Sequence, residues 1–157
     1  MQVQIKVEQC EKPYCVIHAQ AQTDGIKQVA EKISMMDADG KAAVVSGWDG
    51  DYCIQVKQQQ ILRIYSLDKK VYFECETEDA PLLLKMRLYE FEELAERLGW
   101  TDFIRISNTD IVNLSKVQKF DMSFSGIIKV IYGDEKVAIV SRRYMNKIKD
   151  RILMVRK

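Results

Sequence analysis

From residue 42 onward the chain is written as short β-forming runs, and several are joined by turns too short to hold a crossover helix. Strands joined that closely pair antiparallel. AAVVSGW and YCIQV flank Asp49-Gly50, a pair suited to a tight hairpin turn. ILRIYSL and KVYFECE flank Asp68, Lys69 and Lys70, a short polar turn that makes them a second antiparallel pair. PLLLKM (81–86) reads as one more strand, and others are expected at 103–106, near 117–124, at 127–132 and at 136–140, with Gly133-Asp134 turning the last two.

Helical spacing enters at three places. Residues 88–98 place Leu88, Phe91, Leu94 or Ala95, and Leu98 on one stripe, with Gly99 as the stop. The accompanying Glu90, Glu92, Glu93 and Glu96 read as a solvated face. Ser141 is a fitting N-cap for a closing helix with Tyr144, Ile148 and Ile152 on one side. Near the start, strands at 3–7 and 14–19 precede a helix at 24–36 that carries Ile26, Val29, Ile33 and Met36. Residues 37–41 (DADGK) break that pattern and serve as the linker. The expected organisation is a small β-β-α segment over 1–41 and a domain over 42–157. The class is α+β, mostly antiparallel β.

At 157 residues and 47% hydrophobic content the chain can bury a core of its own. No apolar run approaches the ~20 residues that cross a bilayer, and MQVQIKVEQCEK has neither a basic nor an apolar signal region, so a cytoplasmic protein is expected. Cys10, Cys15, Cys53 and Cys75 form no CxxC pair; the last three sit in β-forming surroundings and are expected reduced and mostly buried. A redox pair of Cys10 and Cys15 is an open alternative. With His18 as the only histidine, and no Gly-rich phosphate loop or GxSxG, neither a metal site, a cofactor nor a catalytic residue is expected.

Charge is unevenly distributed. Residues 103–157 hold 12 Lys and Arg against 5 Asp and Glu, and residues 1–102 hold 12 against 18, so a chain of net charge +1 divides into +7 and −6. A basic third suits a polyanion. Within it, FIRISNTDIVNL (103–114) concentrates Arg105, Ser107, Asn108, Thr109 and Asp110 between core positions Phe103, Ile106 and Ile111. Arginine and asparagine can read guanine and adenine edges in two-point contacts, and Ser or Thr can hold phosphates; the same residues also make an ordinary turn. Ser141-Arg142-Arg143-Tyr144 opens the last helix, where free N–H groups and the dipole favour an anion. Asp68-Lys69-Lys70, Lys116 and Lys119 share the pattern of charge at the end of a β-forming run, and all could lie on one side of a sheet.

In this order, ILRIYSLDKKVYFE, RLYEFEELAERLG, FIRISNTDIVNLSKVQKF and then a Gly-turned hairpin into VSRRYMNKIKDRI, the chain resembles the LytTR DNA-binding domain over roughly 42–153. The resemblance implies an elongated β-sheet domain with short helices that presents loops to double-stranded DNA and bends it. The implied function is a sequence-specific bacterial transcription factor acting at repeated promoter sites. It also implies contacts from Lys69 and Lys70, from Arg105, Ser107, Asn108 and Thr109, and from Arg142 and Arg143. Asn108 and Arg142 are expected to read bases, and Lys69, Lys70, Arg105 and Arg143 to hold phosphates. Asn113, set among apolar residues, is expected to anchor backbone. Residues 1–41 are too few for the receiver domain of the commonest members, so phosphorylation control is not expected. The similarity is to short LytTR regulators, for which a membrane-protein regulator and a homodimer on DNA are the further partners. The competing reading is a non-DNA interaction or ligand-sensing module whose basic end meets an acidic protein or an anionic membrane.

Overall fold

A computed structural model describes residues 15–34, 43–123 and 126–153. The chain divides into two compact units, Met1–Lys41 and Ala42–Lys157. In the first, α1 (Asp24–Ser34) starts where the Thr23 hydroxyl accepts the Ile26 N–H at 3.3 Å, and Ile26, Val29 and Ile33 are its half-buried positions. The expected strand at 14–19 does not form over residues 15–19, which carry no ladder. A strand needs a partner or an apolar face to bury, and Val16 is 61% exposed. The strand expected at 3–7, the linker at 37–41 and Cys10 lie outside the described residues.

In the second unit seven strands form one antiparallel sheet: β1 (Val44–Asp49), β2 (Tyr52–Lys57), β3 (Ile61–Leu67), β4 (Lys70–Cys75), β5 (Leu82–Leu84), β6 (Phe103–Arg105) and β7 (Asp110–Asn113). Their order is β2-β1-β5-β4-β3-β7-β6. Helix α2 (Leu88–Arg97) joins β5 to β6. A second sheet, ordered β10-β9-β8, consists of β8 (Val117–Asp121), β9 (Ile128–Tyr132) and β10 (Lys136–Val140). A 3-10 turn (Arg142–Tyr144) then leads into α3 (Met145–Leu153).

Alternation along the strands sorts side chains into two cores, one on each face of the large sheet. Phe73, Leu82, Ile64 and Ile111 pack with Leu88, Phe91 and Ala95 of α2, where Phe91 meets Phe103 edge-on at 5.3 Å. Leu62, Ile104 and Val112 pack on the other face with Ile128, Val130, Val140 and Ile148, from the small sheet and α3. Leu62 and Ile64 occupy opposite cores although they are two apart, because a register shift between Ile61 and Arg63 inserts a bulge. Helix α2 ends in a Schellman pair: Trp100 N–H donates to Ala95 O at 2.8 Å and Gly99 N–H to Glu96 O at 3.1 Å, with Gly99 at φ +68°.

A strand over Asp110–Asn113 was not anticipated; it exists because β3 and β6 both pair with it. Cys15 and Cys53 are exposed and only Cys75 is buried, all three as free thiols. Cys53 lies on strand β2 at the edge of the large sheet, where β-forming surroundings do not imply cover.

Candidate nucleic-acid interface

The β3–β4 connection is a two-residue turn, closed by the pair Leu67–Lys70, with Asp68 at φ +50° and Lys69 at φ +64°. Positive φ at both centres matches the right-handed twist of the flanking strands, but neither residue is glycine, so the turn is strained. It holds Lys69 and Lys70 exposed, with no side-chain hydrogen bond or ion pair among the described residues.

Next to this turn lies the β6–β7 loop, since the Ser66 N–H donates to Thr109 O at 2.8 Å. The loop is built around Asp110. Its carboxylate accepts the Ser107 hydroxyl at 2.8 Å, the Thr109 hydroxyl at 2.6 Å and the Arg63 Nε at 2.7 Å. Burial by itself would favour the neutral acid, but the bonds from Thr109, Ser107 and Arg63 outweigh it and hold the carboxyl below its ordinary range. Arg63 also donates to the Tyr132 hydroxyl at 3.1 Å, and that hydroxyl donates to Glu74 at 2.8 Å. Burial of Tyr132 pushes its phenol up to about 12, against the opposing pull of Arg63. One polar network therefore fastens the loop to the large sheet and to β9.

Arg105 turns inward. It pairs with Glu92 of α2 at 2.8 Å and donates to the carbonyls of Ser107 at 3.0 Å and Asn108 at 2.7 Å. Glu92 thus has a partner, whereas the sequence placed it on a solvated helix face. Asn108 and Thr109 are exposed at the tip. The last segment joins them: the Ser141 N–H donates to Ile106 O at 2.9 Å, and the Tyr144 hydroxyl donates to Asn108 Oδ1 at 3.5 Å. Arg142 and Arg143 are exposed beside this junction and make no side-chain hydrogen bond or ion pair among the described residues. They sit in the 3-10 turn rather than in the first turn of α3, and Ser141 makes no side-chain cap.

Lys69 and Lys70, the 107–109 loop and Arg142 with Arg143 are thereby gathered at one end of the large sheet. Lys116 does not join them. It pairs with Glu76 at 2.9 Å, and Glu76 N–H bonds Gln60 O at the opposite end of β3. Lys119 lies within β8, opposite Ile131, rather than at a strand end. Asn113 is buried and structural, as expected: its Nδ2 donates to Ile61 O at 2.8 Å, while its Oδ1 accepts Ser115 N–H at 3.1 Å. Sequence reasoning passed over Arg63, Tyr132 and Glu74. The available signal was Arg63 itself, a cation inside the apolar run ILRIYSL that a sheet covered on both faces can accept only if paired.

The pattern that defines the LytTr DNA-binding domain matches residues 51–153, and the chain belongs to that family. Over 139 residues, 88% of each chain, it is 27% identical to an uncharacterized HTH-type transcriptional regulator of Staphylococcus aureus (strain NCTC 8325 / PS 47). A similarly named protein of S. aureus strain MRSA252 is 26% identical over the same span. A solved LytTr DNA-binding domain from Bacillus cereus superposes with a TM-score of 0.64 at 24% identity, covering 73% of this chain and all of that one. No two described α-helices of the present chain are consecutive, so its candidate surface is made of loops and turns, not a helix-turn-helix. No helix among the described residues is long and apolar enough to cross a membrane.

Proposed function

We propose that this chain is a bacterial transcriptional regulator that binds double-stranded DNA sequence-specifically through the loops at one end of its large sheet. The observation that carries the reading is the gathering of three segments distant in sequence: Ser66 bonds Thr109, Ser141 bonds Ile106, and Tyr144 bonds Asn108. Each brings an exposed polar or cationic side chain to the same end.

Roles follow from which donors remain unspent. Asn108 and Arg142 are the base readers, because both are exposed and can make two-point contacts with a base edge. Lys69, Lys70 and Arg143 hold phosphates, and Thr109, whose hydroxyl proton is held by Asp110, can only accept a bond from a base amino group. Arg105 and Ser107 shape the loop from within, since their donors are engaged in the protein. Residues 42–157 do the DNA binding and 1–41 form a small separate segment. A regulator of this kind works in the cytoplasm, as a homodimer on repeated promoter sites and under a membrane-protein regulator.

The test is selection of bound fragments from genomic DNA, followed by gel shifts on the recovered sites. Arg142→Ala and Asn108→Ala should each lower discrimination at one base position by about 1–3 kcal/mol. Lys70→Ala should weaken all duplexes alike and reduce the log affinity against log salt slope by about 1. The spacing of repeats in the selected sites checks the dimer. A wild-type protein that prefers no fragment at any salt concentration would refute the reading.

A further inference from the structure

Beside the β3–β4 turn lies an open cleft of about 400 Å³ whose lining includes Lys69, Lys70, Lys85 and Arg87. From this cleft we infer that residues 85–87 form a fourth DNA contact, gripping a backbone phosphate that flanks the bases read by the other loops. The inference rests on the DNA-binding reading above and extends its surface to two residues outside the three loops.

The cations come together for reasons of register. Strands β4 and β5 pair Val71 with Leu84, so Lys70 and Lys85 follow as neighbours just past the end of the ladder. Like charges so placed repel one another, unless an anion stands between them. The carboxylate in the lining, Glu90, is tied back to the helix start, where it accepts the Arg87 backbone N–H at 2.6 Å. Lys85 is held in place, its ammonium 3.4 Å from the centre of the Trp48 ring. That contact fixes one side of the ammonium and leaves its other side for an oxygen ligand. The Lys69, Lys70 and Arg87 side chains make no hydrogen bond or ion pair among the described residues.

Position selects the partner. The order β5-β4-β3-β7 sets the cleft, the Asp68-Lys69 turn and the 107–109 loop in a row along one end of the sheet. Three strand spacings separate β5 from β7, about 14 Å. The major groove is about 12 Å wide, so a protein whose Asn108 loop enters it sets this cleft over the bordering phosphates.

The experiment uses the full chain and a duplex that it selects, with binding followed by fluorescence anisotropy from low to high salt. Lys85→Ala with Arg87→Ala should weaken binding about tenfold near 0.1 M salt and lower the salt slope by about 1, because one phosphate loses its cations. Discrimination between selected and scrambled duplexes should not change. The charge-keeping pair Lys85→Arg and Arg87→Lys should restore the slope, which a merely structural loss would not allow. Trimming the duplex on the side that the cleft overlies should erase the difference between wild type and the alanine variant. An unchanged slope in that variant, with wild-type binding intact, overturns the fourth contact and leaves the three-loop reading standing. A loss of sequence discrimination would also overturn it. Absence of wild-type binding to any duplex would overturn both.

Discussion

Asn113 shows how one side chain can look like a recognition residue and serve the backbone. It lies five positions beyond the exposed Asn108, yet it is buried and bonded at both ends of its amide. Asn113→Ala should leave Ile61 O and Ser115 N–H without these partners and cost about 1–3 kcal/mol in urea denaturation, with base preference in the surviving folded protein unaltered. Tyr132 gives a pH signature. Its folded-state pKa, about 12, stands above the unfolded value of about 10. Folding therefore favours the neutral phenol; its contribution is complete below pH ~10 and is lost as pH rises toward 12. Unfolding free energy should drop by about 2–3 kcal/mol more over that window in wild type than in Tyr132→Phe. Equal slopes for the two proteins would count against it.

At the scale of elements, a close approach and a strained turn make opposite predictions for glycine. Gly47 lies in β1 where an added Cβ would sit 2.6 Å from Phe73 Cζ and 2.7 Å from Leu82 Cβ. Gly47→Ala should therefore cost about 1–3 kcal/mol through overpacking, seen as a lower thermal midpoint. Lys69 holds a left-handed conformation that glycine adopts freely. Lys69→Gly should gain about 0.5–1 kcal/mol of stability while weakening DNA binding and reducing its salt slope by about 1. The rise in midpoint and the fall in slope, measured on one variant, separate strain kept for a functional cation from strain without use.

Over the whole molecule, the hairpins β1–β2, β3–β4 and β9–β10 and helix α2 were all readable from alternation, turn residues and the Gly99 stop. Strand β7 was not, because Asp110 is a poor strand former that stays in the ladder only with Arg63 reaching across from β3. The candidate site divided in the same way. The segments that carry it were legible as polar or basic interruptions of β-forming runs, and a resemblance covering most of the chain ordered them. Which of their side chains face outward was not: Arg105 and Arg142 look alike in sequence, yet one is bound to Glu92 and two carbonyls and the other is exposed. Lys116 likewise matched the pattern of Lys70 and lies at the other end of the sheet, against Glu76. By itself the sequence determined the antiparallel class, most of the strands, the main amphipathic helix and the basic character of the last third, because periodicity and turn chemistry act between residues near in the chain. Only the tertiary structure decided which loops share an end of the sheet, which cations are spent inside, and that Lys85 and Arg87 flank Lys69 and Lys70. Those outcomes depend on strand order and register, which pair residues that are far apart in sequence.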